Sequence, residues 1–309
     1  MKNNESPLTV SVIIPTYHRP VYLKETIESV WAQTILPKEI IIGDDSKDDE
    51  TEKMVIIDLI PLSPVPIRYF HHKPSLREVK NVDFQYSKTT GDLVLHLHDD
   101  DPVYPRCIEL LKEPLQDHPE AIASFGLQHI IDEDGNITPG SEKVNAVFFR
   151  TASREGLNDG FIAGAISMFP NNGFMVRRDA ALSIGYSDNG RAGLATDFYF
   201  GFRLGKIGKP FYFVNDFTAK VRLTANSQSR TSVSDNAYRA VKILLEDCPE
   251  NLRSPEINQS LRNRIPLAIT IAANKKDRKS AFKWLFSRYY RDKLLTPRGI
   301  KRLLLTITP

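Results

Sequence analysis

The sequence predicts an α/β fold, a mixed and mostly parallel sheet flanked by helices, with a C-terminal helical extension. Three observations carry that prediction. The runs Val10-Ser11-Val12-Ile13-Ile14 and Glu39-Ile40-Ile41-Ile42 are almost wholly apolar and are separated by a segment of helical period, the pattern of parallel strands covered on both faces. A third run, Leu93-Val94-Leu95-His96-Leu97, ends in His98-Asp99-Asp100-Asp101, and adjacent carboxylates repel unless something positive sits among them. With 309 residues and 41% hydrophobic content the chain can bury a full core.

Taken in order, the first strand is expected to stop at Pro15, which has no N–H to give a central ladder. The chain then turns through Thr16-Tyr17-His18-Arg19-Pro20. Leu23, Ile27, Val30 and Trp31 make one helical face, and the second strand stops on Gly43-Asp44-Asp45-Ser46. A helix over about 48–59, a loop over 61–66 and a short strand Ile67-Arg68-Tyr69-Phe70 follow. Leu76, Val79, Val82 and Tyr86 line the next helix, with Gly91 expected to close it. Beyond Pro105 the pattern gives a helix through Leu115, a strand over 121–127 and a turn at Asp132-Glu133-Asp134-Gly135-Asn136. Residues 139–159 are weakly patterned and read as a mobile loop. Phe161 to Phe169 is apolar with small residues, and Phe174-Met175-Val176 precedes a helix over 178–184. Thr196-Asp197 opens another helix, where either residue has the chemistry of an N-cap. Phe211-Tyr212-Phe213-Val214 is a strand, and helices cover 237–245 and 257–273, the second kinked at Pro266. The organisation expected is a domain over 1–230 and a helical, basic region over 231–309.

Two strands, ending near Ile42 and Leu97, thus deliver carboxylates to one edge of a sheet, where such folds gather their functional groups. Oxygen donors stacked in this way suit a hard divalent cation and a diphosphate; a solvated acidic turn closed by Pro102 is the plainer alternative. Cys107 and Cys248 are far apart and lack metal-type spacing, so ordinary reduced thiols are expected. The start of the chain, Met1-Lys2-Asn3-Asn4-Glu5-Ser6-Pro7, has no apolar h-region, and no window approaches the roughly 18 apolar residues of a membrane span. A cytoplasmic protein is expected, free or at the inner face of the cytoplasmic membrane.

The net charge of +3 hides an asymmetry, because eleven Lys or Arg stand against two Asp from Lys275 onward. The preceding body is acidic, which argues against nucleic acid as a partner. In the tail, Trp284, Phe286, Tyr289 and Tyr290 are interleaved with Lys283, Arg288, Arg291 and Lys293, and Lys301-Arg302 precede Leu303-Leu304-Leu305. One reading is an interfacial helix on anionic lipid; the other is a helical cap whose aromatics pack inward.

Taken together, these residues resemble the family 2 glycosyltransferases of the GT-A fold. The resemblance rests on Val12-Ile13-Ile14-Pro15-Thr16-Tyr17, on Asp44-Asp45-x-Ser46, and on Gly91-Asp92 leading to His98-Asp99-Asp100-Asp101. Met175-Val176-x-Arg178, then Asp197-Phe198-x-Phe200 with Arg203-Leu204 and Gly208, complete it, so that it covers about residues 10–230. It implies an inverting transfer of a sugar from a UDP- or dTDP-sugar to a hydroxyl acceptor, a glycan or lipid-linked molecule of bacterial polysaccharide assembly. It gives Pro15, Thr16, Tyr17 and Arg19 to the nucleotide, Asp45 to the pyrimidine, Asp99 to the ribose and Arg222 to phosphate. Asp101 would hold Mn²⁺ or Mg²⁺, with Asp100 as the alternative ligand, and His98 would be a structural residue at the strand's end. Asp197 would be the catalytic base, a role that apolar neighbours favour and for which Phe198 and Phe200 could supply such neighbours. Two departures stand out: Thr196 replaces an acid common before the base, and Arg222-Leu223-Thr224 lacks the histidine of an Arg-x-His that assists the metal in many members. A nucleotidyltransferase is a rival on the same sheet, but Pro15-Thr16-Tyr17-His18-Arg19 is not the Gly-rich basic loop it would need. A non-catalytic sugar- or partner-binding protein is the second rival.

Overall fold

In a computed structural model, residues 7–223 and 228–308 are described, without the side chains of 228–234; Thr224 therefore lies outside the described residues. The strands and helices run β1 (Val10–Thr16), α1 (Pro20–Trp31), β2 (Glu39–Asp44), α2 (Glu50–Lys53), β3 (Ile67–His71), α3 (Glu78–Lys88) and β4 (Leu93–His96). They continue with α4 (Cys107–Asp117), β5 (Ala123–Ile131), α5 (Ser141–Val147), β6 (Gly156–Asn158), α6 (Gly160–Ala165), β7 (Phe174–Arg177) and α7 (Arg178–Ile184). Then come α8 (Thr196–Gly205), β8 (Phe211–Arg222), α9 (Gln228–Asp247), α10 (Pro255–Asn274), α11 (Arg278–Leu285) and α12 (Pro297–Ile307). Two compact units result, one up to Asp188 with 200–223, the other Asn189–Tyr199 with 228–308.

The first unit holds an eight-stranded sheet in the order β3-β2-β1-β4-β7-β5-β8-β6. β3, β2, β1 and β4 are parallel, β7 runs against β4 and β5, β8 is parallel to β5 and β6 is antiparallel to β8. The apolar runs are continuous because both faces are covered. Val12, Ile14, Ile40, Ile42, Leu93 and Leu95 pack in one cluster with Leu23, Ile27 and Val30 of α1. On the other face Phe174 and Phe200 lie with Phe169, Tyr186 and Tyr86 in a chain of ring contacts 4.5–6.4 Å apart. Each large apolar side chain buried this way contributes about 1.5–3 kcal/mol relative to leaving it exposed. β1 is flanked by β2 on one side and β4 on the other, the switch point at which open α/β sheets form a crevice beyond their strands' carboxyl ends.

Several local expectations are corrected. Pro15 sits inside β1, paired with Gly43, because β1 pairs with β4 only as far as Ile13↔His96; by the alternation of the ladder its missing N–H faces the side where β4 has already parted. Gly91 does not close α3, which ends at Lys88 with Thr89 as its C-cap; it is needed because a Cβ there would lie 2.6 Å from the Ser11 backbone nitrogen. Leu76 precedes α3 rather than lying on it. The stretch 48–59 is one short α-helix continued as a π-helix, Met54–Leu59. Within 139–159, read as a loop, the chain forms α5 and β6. Asn145 organises that segment, donating to the carbonyls of Gln128 and Ser141.

The second unit is helical apart from its turns. Trp284, Tyr289 and Tyr290 are buried there, whereas Phe286 is exposed, so most of the tail's aromatics pack inward as a cap. Arg302 ties α12 to α10 by donating to the Pro266 carbonyl at 2.8 Å and to Tyr290 Oη at 2.8 Å. Ile300, Leu304 and Ile307, on one helical face of α12, remain exposed with Leu295 before it. Among the described residues, no helix is long and apolar enough to cross a membrane. Cys107 and Cys248 are free and buried.

Candidate active site

The carboxyl ends of β1, β2, β4 and β8 bring nine of the ten expected site residues together in the first unit. Register makes this happen: Thr16 pairs with Asp44 across β1 and β2, and the Asp45 N–H donates to the Thr16 carbonyl at 3.0 Å. The Thr16 hydroxyl donates to Asp99 Oδ2 at 2.8 Å, and Tyr17 N–H approaches the same oxygen at 3.4 Å. Arg19, at the mouth of α1, places one guanidinium nitrogen 3.2 Å from Asp99 Oδ1 and 2.6 Å from Asp100 Oδ2. From inside α1, the Thr26 hydroxyl donates to the Asp99 carbonyl at 3.0 Å. The loop after β1 and the acidic turn after β4 are therefore one hydrogen-bonded body.

The three acids are nearly buried. Burial pushes Asp99 above the ordinary carboxylate range against the pull of Arg19 and Thr16. Burial, then Asp101 and Asp99, push Asp100 up to about 7 in spite of Arg19. One arginine does not balance three carboxylates in so little water. Asp101 accepts from the Arg222 backbone N–H at 2.7 Å and from Asn172 Nδ2 at 2.8 Å, and His98 Nδ1 lies 3.4 Å from its Oδ2. His98, Asp100 and Asp101 each offer one donor atom, all within 4.8 Å of one another. A buried acid pair short of positive charge, beside an imidazole, fits a divalent cation.

Asp44 and Asp45 part in role. Asp44 is consumed locally, accepting from Ser46 N–H at 2.8 Å and from Tyr69 Oη at 2.5 Å. Asp45 accepts from Leu76 N–H at 2.8 Å through Oδ1, while its Oδ2 is buried with no hydrogen-bond partner. A buried polar oxygen left so is costly unless a donor arrives. Gly43, just before them, is required by close approach: Asn81 Nδ2 donates to its carbonyl at 2.8 Å, and a Cβ would lie 1.9 Å from Asn81 Oδ1. Tyr17 is half exposed at the rim.

Arg222 is placed otherwise than expected. Its side chain is buried, with Nε donating to the Asp100 carbonyl, one terminal nitrogen to the carbonyls of Asp132 and Glu133, and the other to Glu25 Oε2 at 2.5 Å. The guanidinium also lies over the Tyr22 ring, 4.7 Å from its centroid. With every nitrogen engaged, it braces the acidic turn instead of reaching for phosphate. Asn172 was not anticipated; the only sequence signal was a turn, Pro170-Asn171-Asn172-Gly173. Asp197, the expected base, belongs to the second unit, half-buried in the first turn of α8. Before it, the Thr196 hydroxyl donates back to the Gly193 carbonyl at 2.7 Å. Of the two rings expected to flank Asp197, Phe198 carries the Arg264 guanidinium 5.4 Å from its centroid, and Phe200 is spent in the aromatic core of the first unit.

Comparison with known proteins agrees with this geometry. A curated relative, the GalNAc(5)-diNAcBac-PP-undecaprenol beta-1,3-glucosyltransferase of Campylobacter jejuni, is 28% identical over 132 residues, 42% of this chain and 40% of that protein. The chain thus matches well under two thirds of that relative's length. Among solved structures, S. aureus TarS 1-349 in complex with UDP-GlcNAc is similar at a TM-score of 0.65 and 14% identity, over 96% of this chain and 89% of that one. The mannosyltransferase PcManGT of Pyrobaculum calidifontis, in complex with GDP-Man and Mn²⁺, is similar at 0.60 and 13%, over 97% and 87%. Both share the GT-A fold with this chain. The family model for glycosyl transferase family 2 matches residues 11–184. That span is more than half of the chain and contains both acidic strand ends, so the chain belongs to glycosyl transferase family 2.

Proposed function

We propose that this protein is an inverting glycosyltransferase that moves a sugar from a UDP- or dTDP-sugar to a hydroxyl of a glycan or lipid-linked acceptor. The observation that carries the reading is the convergence of Asp45, Asp99, Asp100 and Asp101, from two strand ends, on the loop Pro15-Thr16-Tyr17-His18-Arg19. The partnerless Asp45 Oδ2 is the acceptor that a uracil or thymine imide N–H would satisfy. Asp99, fixed by Thr16 and Arg19, faces the ribose; Pro15 and Tyr17 shape the mouth of the nucleotide site. Mn²⁺ or Mg²⁺ on Asp101 and Asp100 would supply positive charge for the departing diphosphate. Asp197 takes the proton of the acceptor hydroxyl while its oxygen bonds to the anomeric carbon and the bond to the diphosphate breaks on the opposite face, inverting that centre. Residues 1–230 serve as the catalytic domain, and 231–309 as the helical region.

The lipid-linked acceptor named for the Campylobacter relative supports the same class of acceptor here. So does the exposed stripe Ile300, Leu304 and Ile307 on α12, bordered in sequence by Arg298 and Lys301, which suits peripheral contact with an anionic membrane. The test is release of UDP or TDP from a panel of nucleotide-sugars, with soluble and polyprenyl-linked acceptors. Turnover is expected with one pyrimidine donor, reduced at least about 10³-fold in Asp197→Asn, and higher on anionic vesicles. Absence of nucleotide release from every donor, or an Asp197→Asn variant as active as the wild type, overturns the reading. Binding without turnover would make the chain a sugar-binding protein.

A further inference from the structure

We infer that the His98 imidazole is a ligand of the divalent cation. The inference deepens the reading above, since it concerns the cation expected beside the donor diphosphate. Sequence alone made His98 a structural residue at a strand's end. Its geometry points elsewhere. Nδ1 lies 3.4 Å from Asp101 Oδ2, close to the spacing of about 3 Å that neighbouring ligands of one ion adopt at metal–ligand distances near 2.1 Å. His98 keeps a quarter of its side chain exposed, while Asp101 and Asp100 retain 3% and 11%. The imidazole is thus the most open of the three donors, and an ion arriving from that side meets it together with the carboxylates.

A second observation, independent of the acids, points to a ligand at this place. Asn172 is fully buried; its Nδ2 donates to Asp101 Oδ2 at 2.8 Å, yet its Oδ1 has no hydrogen-bond partner. The residue's backbone is itself anchored, because Gln128 Nε2 donates to the Asn172 main-chain carbonyl at 2.8 Å and Arg150 donates to Gln128 Oε1 at 2.7 Å. Asn172, held by these buried groups, and the Arg222 N–H together orient the Asp101 carboxylate, the kind of support that ligating carboxylates carry. The other group of donors among the described residues, Asp49, Glu52 and His71, lacks these features. There Lys73 Nζ sits 2.6 Å from Asp49. A lysine already supplies the positive charge in that group.

Mg²⁺ and Mn²⁺ are both served chiefly by carboxylate and water oxygens, so a nitrogen bound directly to Mn²⁺ at this place is the mark of the His98 imidazole. The experiment is Mn²⁺ titration of the full chain, followed by the electron paramagnetic resonance of free Mn²⁺, with Mg²⁺ as competitor and a pulsed measurement of nitrogen coupling to bound Mn²⁺. Expected are a directly bound nitrogen in the wild type, its loss in His98→Ala, and Mn²⁺ affinity lowered about tenfold or more in that variant. The nitrogen signal is read on the wild type, so it stands even where the variant folds poorly. No Mn²⁺ binding, no nitrogen coupling in the wild type, or an unchanged Mn²⁺ affinity in His98→Ala overturns the inference. Sugar transfer by a chain without nitrogen coupling would remove this inference alone; nitrogen-ligated Mn²⁺ in a chain that transfers nothing would remove the transferase reading alone.

Discussion

Asp99, Asp100 and Asp101 follow one another in the chain and meet three different sets of partners. Asp99 turns to the loop after β1, Asp100 to Arg19, and Asp101 to the backbone of Arg222 and the amide of Asn172. That acids gather at this edge was legible, because an apolar run cannot end in three carboxylates without a reason. Which partner each acid takes was not, since Arg222 lies 121 positions and Asn172 71 positions from Asp101. Arg222 was read as a phosphate clamp from its place in the chain; burial and four side-chain hydrogen bonds make it a brace. Arg222→Ala leaves Glu25 and the carbonyls of Asp100, Asp132 and Glu133 without their donor, and losing hydrogen bonds from a charged group costs about 1.5–3 kcal/mol. Urea unfolding of Arg222→Ala should show that loss. A variant of unchanged stability that lost only nucleotide affinity would restore the clamp.

At the scale of elements, the parallel strands were legible because two covered faces demand unbroken apolar runs, and α1 because its apolar period is regular. The segment 139–159 was not. Its order comes from Asn145 and Arg150, polar side chains that satisfy backbone and amide groups elsewhere in the chain, and such pairing leaves no periodicity to read. A similar device pins the opposite, amino edge of the sheet. Glu39, the first residue of β2, accepts from Ser11 of β1, Arg68 of β3 and Thr90 before β4. Burial opposes its ionisation, but the hydrogen bonds from Arg68, Ser11 and Thr90 prevail and hold its pKa below the ordinary value. A depressed carboxylate stabilises the fold above its unfolded pKa, about 4.3, and that contribution fades as pH falls through the lower folded value. Glu39→Gln should lose about 1.5–3 kcal/mol at pH 7, and the gap from wild type should narrow below about pH 4. A gap that stays constant with pH would contradict the assignment.

For the whole molecule, family membership was legible from motifs spread over the first two thirds of the chain, because three of them, the loop after β1 and the acidic turns after β2 and β4, lie at strand ends that the sheet order brings to one edge. The tail was less so. Its aromatics and cations fit a membrane surface and a packed cap equally well, and only burial separates Trp284, Tyr289 and Tyr290, packed inside, from the outward stripe of α12. Nothing in composition distinguishes a leucine that faces a neighbouring helix from one that faces solvent. The account as a whole stands on a single claim, that the acids of β2 and β4 form a nucleotide diphosphate site completed by a divalent cation. Calorimetric titration with UDP tests it most directly, with and without Mn²⁺, in the wild type and in Asp101→Asn. Binding strengthened by Mn²⁺ in the wild type, with that gain abolished in Asp101→Asn, is the predicted result. UDP binding that is indifferent to both the ion and Asp101, or absent altogether, would contradict it.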